Sequence, residues 1–189
     1  MGGMTSQPPF RLSTPAEVVA FWRDAGPDRW FAKDDAFDRR FRTQCLALHE
    51  AAARGDLSSW GATADGALAL VLLLDQFPRN CFRGTARMFA TDDDARRVAS
   101  AAIAAGHDQE VAPDLRVFFY LPFEHSEDLA DQDRSVALSQ PLSEEYWRYA
   151  ELHRDIILRF GRFPHRNEIL GRASTPEEQE FLAEGGFAG

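Results

Sequence analysis

A chain of 189 residues, 44% hydrophobic and 27% charged, is long enough for one well-filled globular domain and lacks the bias of a fibrous or disordered protein. Its net charge of -9 argues against nonspecific nucleic-acid binding, which needs a strongly basic surface. No apolar run approaches the ~18 residues of a membrane span, and two cysteines, Cys45 and Cys81, are too few for a disulfide framework.

The opening "MGGMTSQPP" has neither a basic n-region nor an apolar h-region, so it does not read as a secretory signal. Residues 1–13 are expected to be a disordered or cloning-derived tail. Residues 14–189 are expected to form a single helical domain, cytoplasmic by default. The first helix follows Thr14 as N-cap, with Pro15 at its first position, Glu17 closing a capping box and Gly26 ending it. The next starts near Asp34. Phe37, Phe41, Cys45, Leu48 and Ala52 fall at spacings of three and four, which makes one apolar face.

"TADGALALVLLLDQF" is apolar on nearly every side and predicts a buried central helix ended by Pro78. "TDDDARRVASAAIAAG" predicts a helix capped by Thr91 and stopped at Gly106. "APDLRVFFYLPF" fits either a strand or a short helix stopped by Pro122. An acidic-start helix follows, with Ser126 as the expected N-cap. A long helix runs from Ser143 to Gly161 with His153 on its inner stripe, and Thr175 caps a last one. Period-two alternation is nearly absent. The expected architecture is all-α, about eight to ten helices paired antiparallel.

Two corners repeat a basic pattern: "DQFPRNCFR", with Asp75, Arg79, Asn80 and Arg83, and "RFGRFPHRN", with Arg162, His165, Arg166 and Asn167. Twenty of the 21 basic residues are Arg, whose planar fork suits carboxylates and phosphates. The corners therefore read either as helix ends whose Arg and Asn satisfy orphan carbonyls, or as the mouth of an anion-binding pocket. "LPFEHSEDLADQD" holds Glu124, His125, Glu127 and Asp128. Imidazole beside carboxylate could begin a metal site, but no HExxH motif is present and no cofactor is indicated. Cys81 is a weak candidate nucleophile. Nucleotide-loop, GxSxG and CxxC motifs are missing.

"LLLDQFPRNCFRGTARMFATD", "RVFFYLPFEHSEDLADQ" and "RFGRFPHRNEILGRASTPEEQEFL" together resemble the bacterial family catalogued as domain of unknown function 924, as do "FWRDAG" and "WFAKDDAFDRRF". The resemblance implies an all-helical fold similar to tetratricopeptide-repeat proteins. It implies no activity and carries over no catalytic residue.

Three functions compete on these residues. The preferred expectation is a helical-repeat-like binding module. Its pocket, lined by Arg79, Asn80, Arg83, Arg162, His165, Arg166 and Asn167, would hold an anionic small ligand or a peptide carboxylate. The second is a hydrolase or other acid–base enzyme using His125 and His153 with Asp75 and Glu127. The third is a scaffold in which these groups brace one another. The sequence leaves the oligomeric state open.

Overall fold

A computed structural model describes residues 11–188; the expected N-terminal tail lies outside the described residues apart from its last three. Helices α1 (Pro15–Ala25), α2 (Pro27–Trp30), α3 (Asp35–Ala53), α4 (Ala64–Val71), α5 (Phe77–Cys81), α6 (Asp92–Ala104), α7 (His107–Glu110), α8 (Val117–Glu124), α9 (Leu129–Ser139), α10 (Glu144–Phe160) and α11 (Pro176–Ala183) follow in order, with short 3₁₀ turns in some of the connections. There is no strand among the described residues, so the fold is all-α. None of these helices is long and apolar enough to cross a membrane.

Helix α4 lies at the centre because Gly66 through Val71 are buried on every side, as its composition requires. It packs against α1, α6, α7 and α8, while α8, α9 and α10 stack in series beside it. Gly66 lets α4 approach the preceding 3₁₀ turn: a Cβ there would stand 1.9 Å from the Trp60 carbonyl oxygen. The core is aromatic. Trp22 meets Phe118 edge-on at 5.3 Å, and Phe41 meets Phe77 edge-on at 5.1 Å.

The central helix does not stop at Pro78, contrary to expectation. Between α4 and α5 the chain widens into one π-helical turn, Leu72–Gln76, in which the Phe77 N–H reaches back to the Leu72 carbonyl. Pro78 has no N–H to offer the turn before it. Two side chains take up the carbonyls left over: His49 Nδ1 donates to Leu73 O at 2.8 Å, and Thr91 Oγ1 donates to Leu74 O at 2.5 Å. The helix therefore continues through Pro78 to Cys81.

His49 is itself buried, 5% exposed and stacked on Phe77. One further expectation is corrected. Thr91 makes no side-chain cap for α6, because its hydroxyl serves the π turn that follows α4. Thr91→Val should cost about 1–2 kcal/mol, read by urea denaturation, since it strands a buried carbonyl without changing side-chain volume much.

The ambiguous "VFFYLPFE" is helix α8 and runs through Pro122 rather than stopping there. Its frayed end is gathered by Gln132, whose amide donates to Glu124 O and Ser126 O, each at 2.7 Å. Asp128, not Ser126, is the N-cap of α9; the Ser126 hydroxyl donates to Asp131 instead.

Candidate functional site

The π turn places Asp75 at the junction of α4, α5 and α8, fully buried. A carboxylate there is costly unless every oxygen is satisfied. Gln76 Nε2 donates to Oδ2 at 2.7 Å, Arg79 donates to Oδ1 at 3.2 Å, and His125 Nδ1 lies 2.7 Å from Oδ1. Arg79 also forks onto Asp92 at 2.8 and 3.0 Å. Burial alone would push the Asp75 carboxyl up, but His125, which attracts it as an imidazolium in acid and donates to it as a neutral ring above, outweighs burial together with the Arg79 charge and the Gln76 hydrogen bond, and Asp75 is held ionised. His125 moves the other way. Burial first, then the Arg79 charge, disfavour the imidazolium against the pull of Asp75. An ionised carboxylate only accepts, so Nδ1 of the neutral ring carries the proton and Nε2 keeps its lone pair.

Glu124 precedes His125 and ends α8. It is 6% exposed, and burial, reinforced by the Asp75 charge, pushes its carboxyl up to about 8. Its ionisable neighbour on α10 is His153, with Nδ1 3.3 Å from Oε1. That contact is not an ion pair at neutral pH. The Nδ1 proton goes to Tyr149 O at 2.7 Å, and burial pushes His153 down to about 3. Both partners are neutral, and Glu124 is a carboxylic acid with a proton to give.

Glu124 and His125 open onto a cavity of about 440 Å³. Gln76, Arg79, Asn80 and Arg83 from the first Phe-Pro-Arg-Asn corner line one wall. Trp30, Phe31, Leu121, Tyr146, Tyr149 and Phe187 form an aromatic and apolar rim. Phe31 and Tyr149 are more than half exposed, as befits the lip of an entrance. The size suits a small organic molecule, and the few polar groups on an apolar wall would orient it.

The two corners, alike in sequence, do different work. Arg79, Asn80 and Arg83 face the cavity. Arg162 instead forks onto Glu178 at 2.6 and 2.8 Å, and Asn167 donates to Ser174 and Glu178, each at 3.1 Å. Arg166 is sandwiched between Phe89 and Phe163, 4.5 Å from each ring, and donates to the carbonyl of His125 at 2.8 Å. His165 sits among Phe163 and Phe187 with its ring held neutral by burial, at about 4. None of these four lines the cavity. Glu127 is also elsewhere: Arg172 grips it at 2.7 and 2.9 Å, and it accepts the Phe163 N–H at 2.8 Å.

Of the four expected acid–base residues, the structure brings Asp75 to His125 and sets His153 behind Glu124. It takes Glu127 away to the brace of the second corner. The metal site suggested by "EHSEDLADQD" does not assemble. Among the described residues, no three His, Cys, Asp or Glu side chains converge as ligands would. Cys81 is no nucleophile: burial pushes its thiol up to about 12, and its sulfur points at the Asp38 carbonyl, 3.6 Å away, rather than at a histidine. Reading the sequence did not single out Glu124 as the buried carboxyl with the raised proton affinity. The available signal was a lone carboxylate ending a helix whose other members, Val117 to Phe123, are all apolar or aromatic and all buried.

Comparison with known proteins matches the architecture, not an activity. Residues 18–186 match the family described as a bacterial protein of unknown function, DUF924. Among solved structures the chain is similar to a protein of unknown function from Agrobacterium tumefaciens, at 60% identity and a TM-score of 0.89, over 90% of this chain and 97% of that one. A comparison with curated proteins gives no match. A family match over this span, joined to a solved relative at this identity, fixes the kinship: the chain belongs to the DUF924 family of bacterial proteins.

Proposed function

We propose that the cavity is the active site of a small-molecule acid–base enzyme, with His125 Nε2 as the base and the Glu124 carboxyl as the acid. The observation that carries this reading is the 2.7 Å bond from His125 Nδ1 to the buried Asp75. That bond fixes the imidazole's tautomer and leaves Nε2 as the free nitrogen of a ring that lines a cavity a substrate can enter. Glu124 adds a proton donor whose affinity is close to neutral pH, where proton transfer is most effective. Hydrolysis by a water that His125 activates is the reaction class this pair serves without a protein nucleophile. The simpler binding-module reading draws on the aromatic rim, which would hold a ligand whether or not it reacts.

The pH profile carries the signature of the pair. The working state needs neutral His125 and protonated Glu124. Activity should therefore rise as pH climbs through the lowered His125 value and fall again above about pH 8. The test is a thermal-shift screen of metabolite pools, with each stabilising compound then incubated with the protein and followed by mass spectrometry. We expect a hit whose conversion drops at least about 100-fold in His125→Gln and Glu124→Gln, both still folded. Hits that bind the wild type but are never converted would leave only the binding module.

A further inference from the structure

A second recess lies beside the cavity and shares two of its residues, Asn80 and Arg83. Its volume is about 360 Å³, and Lys33, Arg39 and Arg42 complete its cationic lining. The two acids present, Asp35 and Asp38, do not cancel these charges. Asp38 is already taken by Arg83 Nε at 3.1 Å and by Asn80 Nδ2 at 2.7 Å. Arg42 spends one nitrogen on the Cys81 carbonyl at 3.0 Å. Lys33 and Arg39 are exposed, and neither belongs to an ion pair found among the described residues. The recess holds four cations and two carboxylates in a chain whose net charge is -9. A local excess of positive charge on an acidic surface concentrates anions there.

We infer that the substrate is bipartite: an apolar or aromatic body in the cavity, and a phosphate monoester seated in the recess of Lys33, Arg39, Arg42 and Arg83. The inference rests on the cavity being the site proposed above, and adds what the substrate must look like. Arg79 cannot be the anion anchor, because its fork is spent on Asp92 and Asp75. Arg83 can, because its terminal nitrogens are free while its Nε holds Asp38, and it stands where the two spaces meet. A carboxylate is satisfied by one planar fork. Cations contributed by four separate side chains around an open recess suit a dianionic, tetrahedral group instead. The phosphate is a handle in this arrangement. It is held away from His125, which works on the body.

Calorimetric titration separates the parts, using phenyl phosphate, inorganic phosphate, benzyl alcohol and benzoate as probes. Two variants are needed: Lys33→Ala with Arg39→Ala, which strips the recess, and Ala32→Trp, which puts a large ring at a residue that lines the cavity beside Phe31. Phenyl phosphate should bind the wild type more tightly than any other probe, with an affinity that falls as salt rises. Stripping the recess should weaken phenyl phosphate about tenfold and leave benzyl alcohol unchanged. Filling the cavity should weaken both. If the stripped variant binds phenyl phosphate like wild type while Ala32→Trp abolishes it, the cavity stands and the phosphate handle is overturned. If Ala32→Trp changes nothing, the cavity reading itself fails. Benzoate binding as tightly as phenyl phosphate, or no phenyl phosphate binding in the millimolar range, also overturns the phosphate assignment.

Discussion

Asp75→Ala should destabilise the protein by about 3–5 kcal/mol, the range for breaking a buried ionic network by removing one member. Asp75 is fully buried, so solvent does not screen the loss. Its removal strands two donors, the Gln76 amide and the Nδ1–H of His125, and takes one of three acceptors from Arg79 Nη1, which keeps Asp92 and the carbonyl of residue 75. Arg79 keeps Asp92, so the charge is not orphaned completely, and that sets the upper end of the range. Asp75→Asn keeps the volume and an acceptor for His125, and should cost less. The effect depends on pH with a definite sign. The carboxyl is held below its unfolded value, so the unfolded chain takes up a proton first as the solution is acidified. The stability Asp75 supplies is therefore complete above about pH 4 and drains away as pH falls further. Urea denaturation at pH 7 should show the full difference between wild type and Asp75→Ala, and at pH 3 a smaller one. A loss below about 1 kcal/mol at pH 7 would be the value of an exposed pair, and would contradict the buried network.

The sequence revealed most where the determinants are local. Thr14 with Glu17 and Thr175 with Glu178 form capping boxes, because donor and acceptor lie three residues apart on one turn. Gly106 and Gly161 end their helices with positive φ, the conformation glycine adopts most cheaply. The failures share one cause. Pro78 was a sound stop signal by local rules, and it was overridden by His49 from α3 and Thr91 at the start of α6. Those partners lie 24 and 17 residues from the carbonyls they satisfy, and no pattern around Pro78 announces them.

The two basic corners diverge for the same reason. Both present Arg and Asn after Phe-Pro, but which acids they meet depends on packing. Glu127 and Arg172 are 45 residues apart. Arg162 and Glu178 are brought together by α11 folding back onto the 3₁₀ turn Pro164–Arg166. Local sequence could show that the Arg side chains need carboxylates. Only the fold decides that one corner braces the C-terminal helices while the other lines a cavity. Even within the brace, Arg166 serves the site, since its bond to the His125 carbonyl steadies the backbone of the proposed base.

Glu124→Gln should make the protein more stable, and by an amount that grows with pH. The folded protein keeps Glu124 protonated up to about pH 8, whereas the unfolded chain ionises it near 4.5. Between those values the native state holds a proton the unfolded state has released, so stability falls as pH rises, by about 1.4 kcal/mol per pH unit. The total is about 3–5 kcal/mol by pH 8, and it is absent at pH 4 where both states are protonated. His153 acts in the opposite sense. The native ring resists protonation down to about 3 while the unfolded one protonates near 6.5, so stability falls as pH drops below that point. The two slopes oppose each other between about pH 4.5 and 6.5, and Glu124 acts alone from there to pH 8. Glutamine copies the shape of the neutral acid and cannot ionise. Urea denaturation at pH 5, 6.5 and 8 should therefore give curves for wild type and Glu124→Gln that separate with pH. Equal stabilities at pH 8 would mean that Glu124 ionises normally and cannot be the acid. A glutamine that stabilises the fold and also stops turnover would show a carboxyl kept at the cavity for its proton, at the expense of stability. A glutamine that stabilises the fold and converts substrate as before would assign the proton transfer to some other group.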